Sequence, residues 1–477
     1  PGEIGVVECH GTGTALGDPI EVNALRGVFD GPKDAAQADC VPLWLGAGKT
    51  NLGHLEAAAG FAGLAKAISC LQRRQVPANV HFAELSPHID LGASRLQVPE
   101  GAPEAPAQGR RCLAGVSSFG FGGTNAHAVL QSIGPDAAAP DLWPSARSRG
   151  GKRVAMLFAG QGGMRPGVGR QLYFADAAFR KALDRCADLC LPHLSGRLRL
   201  QDLICTDWDD ASTEKMTSSA LHSFLVTFSL EYALAEMWRA RGVVPFAVLG
   251  HSLGEFAAAV QAGVMTLEDG LELVAARGSL TDEVCEPWAG AMAAVFAPLE
   301  QLRGALVGGE GTSSLAIAAL NAPEQTVVSG TCQQVQDLCR RFPGKSKILD
   351  SPYAMHSSLI GAVLPGLRSV LEACSLQSAS APVFVSCLTG VELEGGEAAR
   401  PEYWLGHDEA RPVRFQASMQ TLDRLGCDAF LEIGPSTLLL CLGRQCLPEV
   451  PTEAWLPSLE PGRHDLETLL STARALQ

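Results

Sequence analysis

The stretch from Phe246 to Val260 constrains this chain more than any other. Phe246 to Leu249 is an apolar run that reads as a buried strand, and Phe256-Ala257-Ala258-Ala259-Val260 reads as the first turns of a helix. Between them stands Gly250-His251-Ser252-Leu253-Gly254. A serine with glycines two positions to either side, set between strand and helix, is the pattern of a nucleophile elbow. The glycines are required because so sharp a turn leaves no room for a Cβ at either position. The turn lifts the Ser252 hydroxyl out of the backbone at the positive end of the helix dipole, where the Leu253 N–H can meet an oxyanion.

The rest of the chain must provide a body for that turn. Its 477 residues are enough for two to four domains, each with its own core. A net charge of −14 argues against a nucleic-acid or anionic-membrane partner. No uninterrupted apolar run approaches the roughly 18 residues of a membrane span. The 15 cysteines are scattered, with no Cys-x-x-Cys pair, which points to reduced, buried thiols in a cytoplasmic protein and to no metal site. The first residue is Pro1 and a dense motif follows within ten residues, so the expectation is a piece of a longer polypeptide.

Ile4 to Glu8 reads as a strand running into Cys9-His10-Gly11-Thr12-Gly13-Thr14, with Asp18 as N-cap of a helix whose first residue is Pro19. A second strand, Leu43 to Gly46, leads to Lys49-Thr50-Asn51-Leu52-Gly53-His54 and a small-residue helix, Glu56 to Leu71. A third, Cys112 to Ser117, enters the glycine loop around Phe121-Gly122-Gly123-Thr124-Asn125. These three motifs, in this order, resemble the carboxy-terminal half of a ketosynthase of the thiolase-like fold. The resemblance implies decarboxylation and condensation roles for His10 and His54, a supporting Lys49, and a gating loop at Phe121. It also implies a cysteine nucleophile in an Ala-Cys-Ser-Ser context upstream, hence a missing amino-terminal ketosynthase half as partner and a half-domain (1–132) that is silent alone.

Residues 133–153, rich in Pro, Ala, Ser and Gly, read as a linker. Val154 to Ala159 is a strand followed by Gly160-Gln161-Gly162-Gly163, with helices expected at 171–191, 219–240 and 267–280. Beyond them the order strand, helix, strand, strand, helix, strand over about 289–350 is the ferredoxin-like unit, inserted in an α/β body. The chain then returns through Tyr353-Ala354-Met355-His356, and a tail over 451–477 follows the body at 154–450.

This second block resembles the malonyl-type acyltransferase domain of polyketide and fatty acid synthases, an α/β-hydrolase-like body with a ferredoxin-like insert. The resemblance implies Ser252 as nucleophile, His356 as base, oxyanion amides from Gln161 and Leu253, and Arg277 holding the free carboxylate of the acyl group. The base is expected to be oriented by a backbone carbonyl. No bound cofactor is implied; the substrates are malonyl-CoA or a related acyl-CoA and the phosphopantetheinyl group of an acyl carrier protein. Tyr353 and Met355 are expected beside the acyl α-carbon, where the bulk of Met355 favours malonyl over methylmalonyl. Two other readings are a serine hydrolase, with Asp350 completing a triad, and a non-catalytic fragment that docks a carrier protein.

Overall fold

Apolar segments too short for helices build three sheets. The computed structural model describes residues 4–30, 42–92, 94–103, 105, 112–120, 122–132, 152–194, 199–208, 213, 216, 218–306 and 315–476. The chain divides into two units, Pro1–Leu142 and Trp143–Gln477. Phe121 and most of the expected linker lie outside the described residues.

In the first unit, β1 (Ile4–Glu8), β2 (Leu43–Gly46), β3 (Leu96–Gln97), β4 (Leu113–Phe119) and β5 (Asn125–Gln131) form one sheet in the order β3-β2-β1-β4-β5. All neighbours are parallel except the β4–β5 hairpin. Side chains alternate across β1: Val6 joins the Ala59–Arg73 helix through Ala67 and Leu71, and Val7 joins the Gly17–Phe29 helix through Val22 and Leu25. The result is a sheet with a helix on each face. Asp18 is not the N-cap: the Gly17–Phe29 helix starts two residues earlier than expected, after Leu16, and the Asp18 carboxylate accepts the Gly13 N–H at 3.1 Å. Closing the glycine loop outweighs capping the helix.

The body of the second unit is β6 (Val154–Phe158), β7 (Ala247–Gly250), β12 (Val383–Val385), β13 (Ala429–Ile433) and β14 (Trp455–Pro457), ordered β12-β7-β6-β13-β14 and parallel throughout. Both faces of β6 are buried, as its unbroken Val-Ala-Met-Leu-Phe requires. The Ala220–Ala240 helix is capped by Ser219, whose side chain accepts from His222 N, and the Leu267–Val284 helix by Thr266. The single helix expected at 171–191 is instead two, Arg170–Ala175 and Ala177–Cys190. Asp176 adopts an extended conformation between them and caps the second through Phe179 N at 2.7 Å.

The insert contains β8 (Gly290–Val295), β9 (Ala316–Ala322), β10 (Gln325–Thr331) and β11 (Ser346–Ile348), with helices Leu299–Leu306 and Cys332–Arg341. Its sheet order, β11-β8-β10-β9, is antiparallel throughout, as the ferredoxin-like reading requires. Alternate residues serve two cores. Ala293, Val295 and Val328 pack under the insert's own helices, whereas Ala294 and Val327 pack with Leu157 and Leu249 of the body. The tail joins the body directly, because β14 is the fifth strand of its sheet and Trp455 stacks on Phe430 at 4.6 Å. Among the described residues, no helix is long and apolar enough to cross a membrane, and the described cysteines are all free.

Candidate active site

β6 and β7 are adjacent and parallel, with Phe158 in register with Gly250, so the loops leaving their carboxyl ends emerge side by side. One loop carries Gln161 and the other Ser252. Ser252 lies in the left-handed region at φ 54°, a conformation that costs a non-glycine residue about 1–3 kcal/mol and persists only where the surroundings enforce it. They do so here. A Cβ at Gly250 would run into the Glu255 backbone, and one at Gly254 into the carbonyl of Phe158. The two glycines let the turn and its helix seat against β6.

His356, also at positive φ (59°), meets the serine from the turn after the insert. Ser252 Oγ and His356 Nε2 are 2.7 Å apart, and the other ring nitrogen, Nδ1, lies 3.2 Å from the carbonyl oxygen of Arg411. A carbonyl can only accept, so Nδ1 carries the proton and Nε2 is left to accept from the serine hydroxyl. Burial pushes His356 well below the ordinary histidine range, and His407, Arg277 and His251 add to the shift. The ring is therefore neutral at neutral pH and available as a base. Asp350, the residue that a hydrolase triad needs, is exposed, and Arg411 takes its place as orienting group.

The backbone N–H groups of Gln161 and Leu253 donate to no protein acceptor among the described residues. The Gln161 side chain donates to Ser223 Oγ at 3.3 Å, and the neighbouring Gly160 N–H is held by Glu231 Oε1 at 2.7 Å. Free amides in the two loops that leave β6 and β7 side by side are what a developing oxyanion would require.

Arg277 stands in the middle of the Leu267–Val284 helix, fully buried, between the rings of Phe224 and Phe256 at 5.2 and 5.5 Å. Its Nε lies 2.8 Å from Asp408 Oδ2 and its Nη2 2.8 Å from Asp408 Oδ1. Tyr353 donates to Asp282 Oδ1 at 2.7 Å, and Asp282 in turn holds Ser219 Oγ at the start of the long helix. Met355 is buried in the same core. The orienting carbonyl expected from the sequence is that of Arg411, which no motif identifies, and Asp408 is the group that sequence reasoning missed.

Beneath the elbow, Glu255 is fully buried and accepts from Cys387 N at 2.8 Å and Tyr403 Oη at 2.7 Å, with His407 Nε2 2.6 Å from its second oxygen. Glu255, Cys387 and His407 form the one metal-like grouping among the described residues. Burial holds the Cys387 thiol well up, protonated, and it donates to Glu255 Oε2 at 3.1 Å. These bonds tie the helix behind Ser252 to the segments around Cys387, Tyr403 and His407 through one buried carboxylate.

In the first unit the structure brings His10, His54 and Lys49 together. The two rings meet edge to face at 5.7 Å, and Lys49 Nζ lies 3.5 Å from His10 Nδ1. Burial, then Lys49 and His54, lower the His10 pKa, and burial lowers that of Lys49.

Residues 155–477 match the family described as acyl transferase domain. The chain belongs to the acyltransferase domain family. Ahead of this acyltransferase, residues 1–83 match the beta-ketoacyl synthase C-terminal domain, and residues 86–159 match the ketoacyl-synthetase C-terminal extension, which reaches across the stretch read as linker. The chain is 31% identical to polyketide synthase GfsA of Streptomyces halstedii, over 100% of its own length but 8% of that protein. It is 32% identical to the PKS-NRPS hybrid synthetase acdB of Aspergillus candidus, over 98% of its length and 22% of that protein. It thus spans less than a quarter of these curated relatives. Among solved structures, the acyltransferase domain from the second module of the salinomycin polyketide synthase is similar at 32% identity and TM-score 0.59, covering 73% of this chain and 75% of that one. A loading acyltransferase from the avermectin modular polyketide synthase gives 28% and 0.61, covering 68% and 99%.

Proposed function

We propose that this acyltransferase carries a small acyl unit from coenzyme A, through an ester on Ser252, to the phosphopantetheine thiol of an acyl carrier protein. The observation that carries the reading is the 2.7 Å pair of Ser252 Oγ and His356 Nε2, with Nδ1 on a backbone carbonyl. In the first half-reaction Oγ attacks the thioester carbonyl and its proton passes to Nε2. The tetrahedral oxyanion takes the amides of Gln161 and Leu253. The C–S bond then breaks, and the coenzyme A thiolate leaves with the proton from Nε2. The second half-reaction repeats these steps with the carrier thiol as nucleophile and Ser252 as leaving group.

Size and charge of the acyl unit are separate questions. The Tyr353 hydroxyl is held by Asp282, so it is Met355 that fills the space beside the acyl α-carbon, and an unbranched unit is favoured over an α-methyl one. A hydrophobic pocket distinguishes one methyl by only ~1–3 kcal/mol. The dicarboxylic unit expected from the sequence depends on Arg277, which already faces a carboxylate. A hydrolase reading is disfavoured by the exposure of Asp350.

The test is mass spectrometry of the protein after exposure to a panel of acyl-CoA esters. An acyl adduct on the peptide bearing Ser252, lost in Ser252→Ala, supports the reading; an adduct that persists on the Ala variant sinks it.

A further inference from the structure

The fork of Arg277 is occupied. Nε and Nη2 engage both oxygens of Asp408, at 2.8 to 3.0 Å, and both side chains are 0% exposed. Asp408 is not on a free loop. Its backbone N–H bonds to Leu405 O at 3.0 Å, and next to it His407 is held against Glu255 and stacked on Trp404. The pair is therefore a fixed, fully buried part of the body around His356, and its charges cancel.

We infer that Asp408 sets the charge of the acyl unit: the protein's own carboxylate stands in for the second carboxylate of a dicarboxylic substrate, and the cleft takes an uncharged, monocarboxylic acyl thioester. The inference rests on the acyltransferase reading above. The remaining nitrogen, Nη1, is buried and has no hydrogen-bond partner among the described residues. A malonyl carboxylate placed there faces Asp408 across one cation, leaving two negative charges against one positive in a site closed to water. An acetyl or longer unbranched acyl group brings no such charge. The nearby cationic side chains are engaged elsewhere or neutral: His356 is held neutral by burial, His407 faces Glu255 at 2.6 Å, and the Arg411 side chain is turned to Glu409 at 2.7 Å.

The choice has a chemical consequence. A monocarboxylic acyl group has no carboxylate to lose as carbon dioxide, so it cannot supply the carbanion of a decarboxylative condensation. A carrier loaded by this domain delivers an electrophilic primer, and the reaction that consumes it must bring a dicarboxylic partner from another source.

The experiment is a competition of acetyl-CoA and malonyl-CoA at equal concentration for the whole chain, read by the mass of the Ser252 peptide. Acetyl is expected to exceed malonyl by at least about tenfold, and Asp408→Asn, which frees the guanidinium charge, should raise the malonyl-to-acetyl ratio by about a hundredfold. Should Asp408→Asn fail to fold, calorimetric binding of the two esters to Ser252→Ala decides the matter, with acetyl-CoA binding at least as tightly as malonyl-CoA. A wild-type preference for malonyl, or tighter malonyl-CoA binding by Ser252→Ala, overturns the inference and leaves the acyltransferase reading standing. If neither ester acylates Ser252, that reading falls and takes this one with it.

Discussion

His356 gathers the largest share of the local physics into one side chain. It is buried near His407, Arg277 and His251, all of which oppose its protonation, while the Arg411 carbonyl only partly offsets them. Because its pKa is lowered, the neutral base survives as pH falls through 6.5 and is lost only below that. The acylation rate of Ser252 should therefore hold a plateau down through pH 6.5, as stopped-flow with an acyl-CoA can show; a break at or above 6.5 contradicts the environment described here. His356→Ala should lower that rate by ~10²–10⁴-fold with melting little changed. Ser252 and His356 were legible in the sequence because each sits in a local motif. Asp408 and the Arg411 carbonyl were not, because they lie 131 and 55 residues from the groups they hold, and no local spacing encodes such a contact.

At the scale of elements, the elbow is where backbone sterics govern function. Gly254→Ala drives a methyl into the Phe158 carbonyl and should destabilise the fold by about 3–5 kcal/mol, seen in denaturant melts. Gly361→Ala is the control: nothing lies within 4 Å of a Cβ there, and stability should change by under about 1 kcal/mol in either direction. Equal losses would show that the elbow is not specially crowded. The buried parallel strands and the strand–helix order of the insert were readable from apolar runs and turn residues. The break at Asp176 was not, since apolar periodicity continues through it and only the carboxylate's capping of Phe179 N restarts the helix. Nor was the pairing of β14 with β13, which depends on a distant partner.

Across the whole molecule, two buried acids set a pH dependence of stability. Burial raises both Glu231 and Glu432 to about 8. Between roughly pH 4.5 and 8 the unfolded chain has released protons that the folded one retains, so stability falls as pH rises through that window. Glu432 accepts from Leu440 N at 2.9 Å and Glu231 from Gly160 N, bonds that an amide oxygen can also accept. The Glu231→Gln/Glu432→Gln variant should match or trail the wild type in Tm near pH 5 and exceed it at pH 8; parallel Tm curves contradict the assignment. An acyltransferase and a hydrolase differ in where the acyl group goes after Ser252. The most direct measurement is a chase: isolate the protein acylated on Ser252, then add phosphopantetheinylated carrier protein or buffer, and follow both masses. The acyl mass should leave Ser252 and appear on the carrier thiol much faster than it is lost to buffer. Loss to water at the same rate with or without carrier would mark a hydrolase and contradict the account.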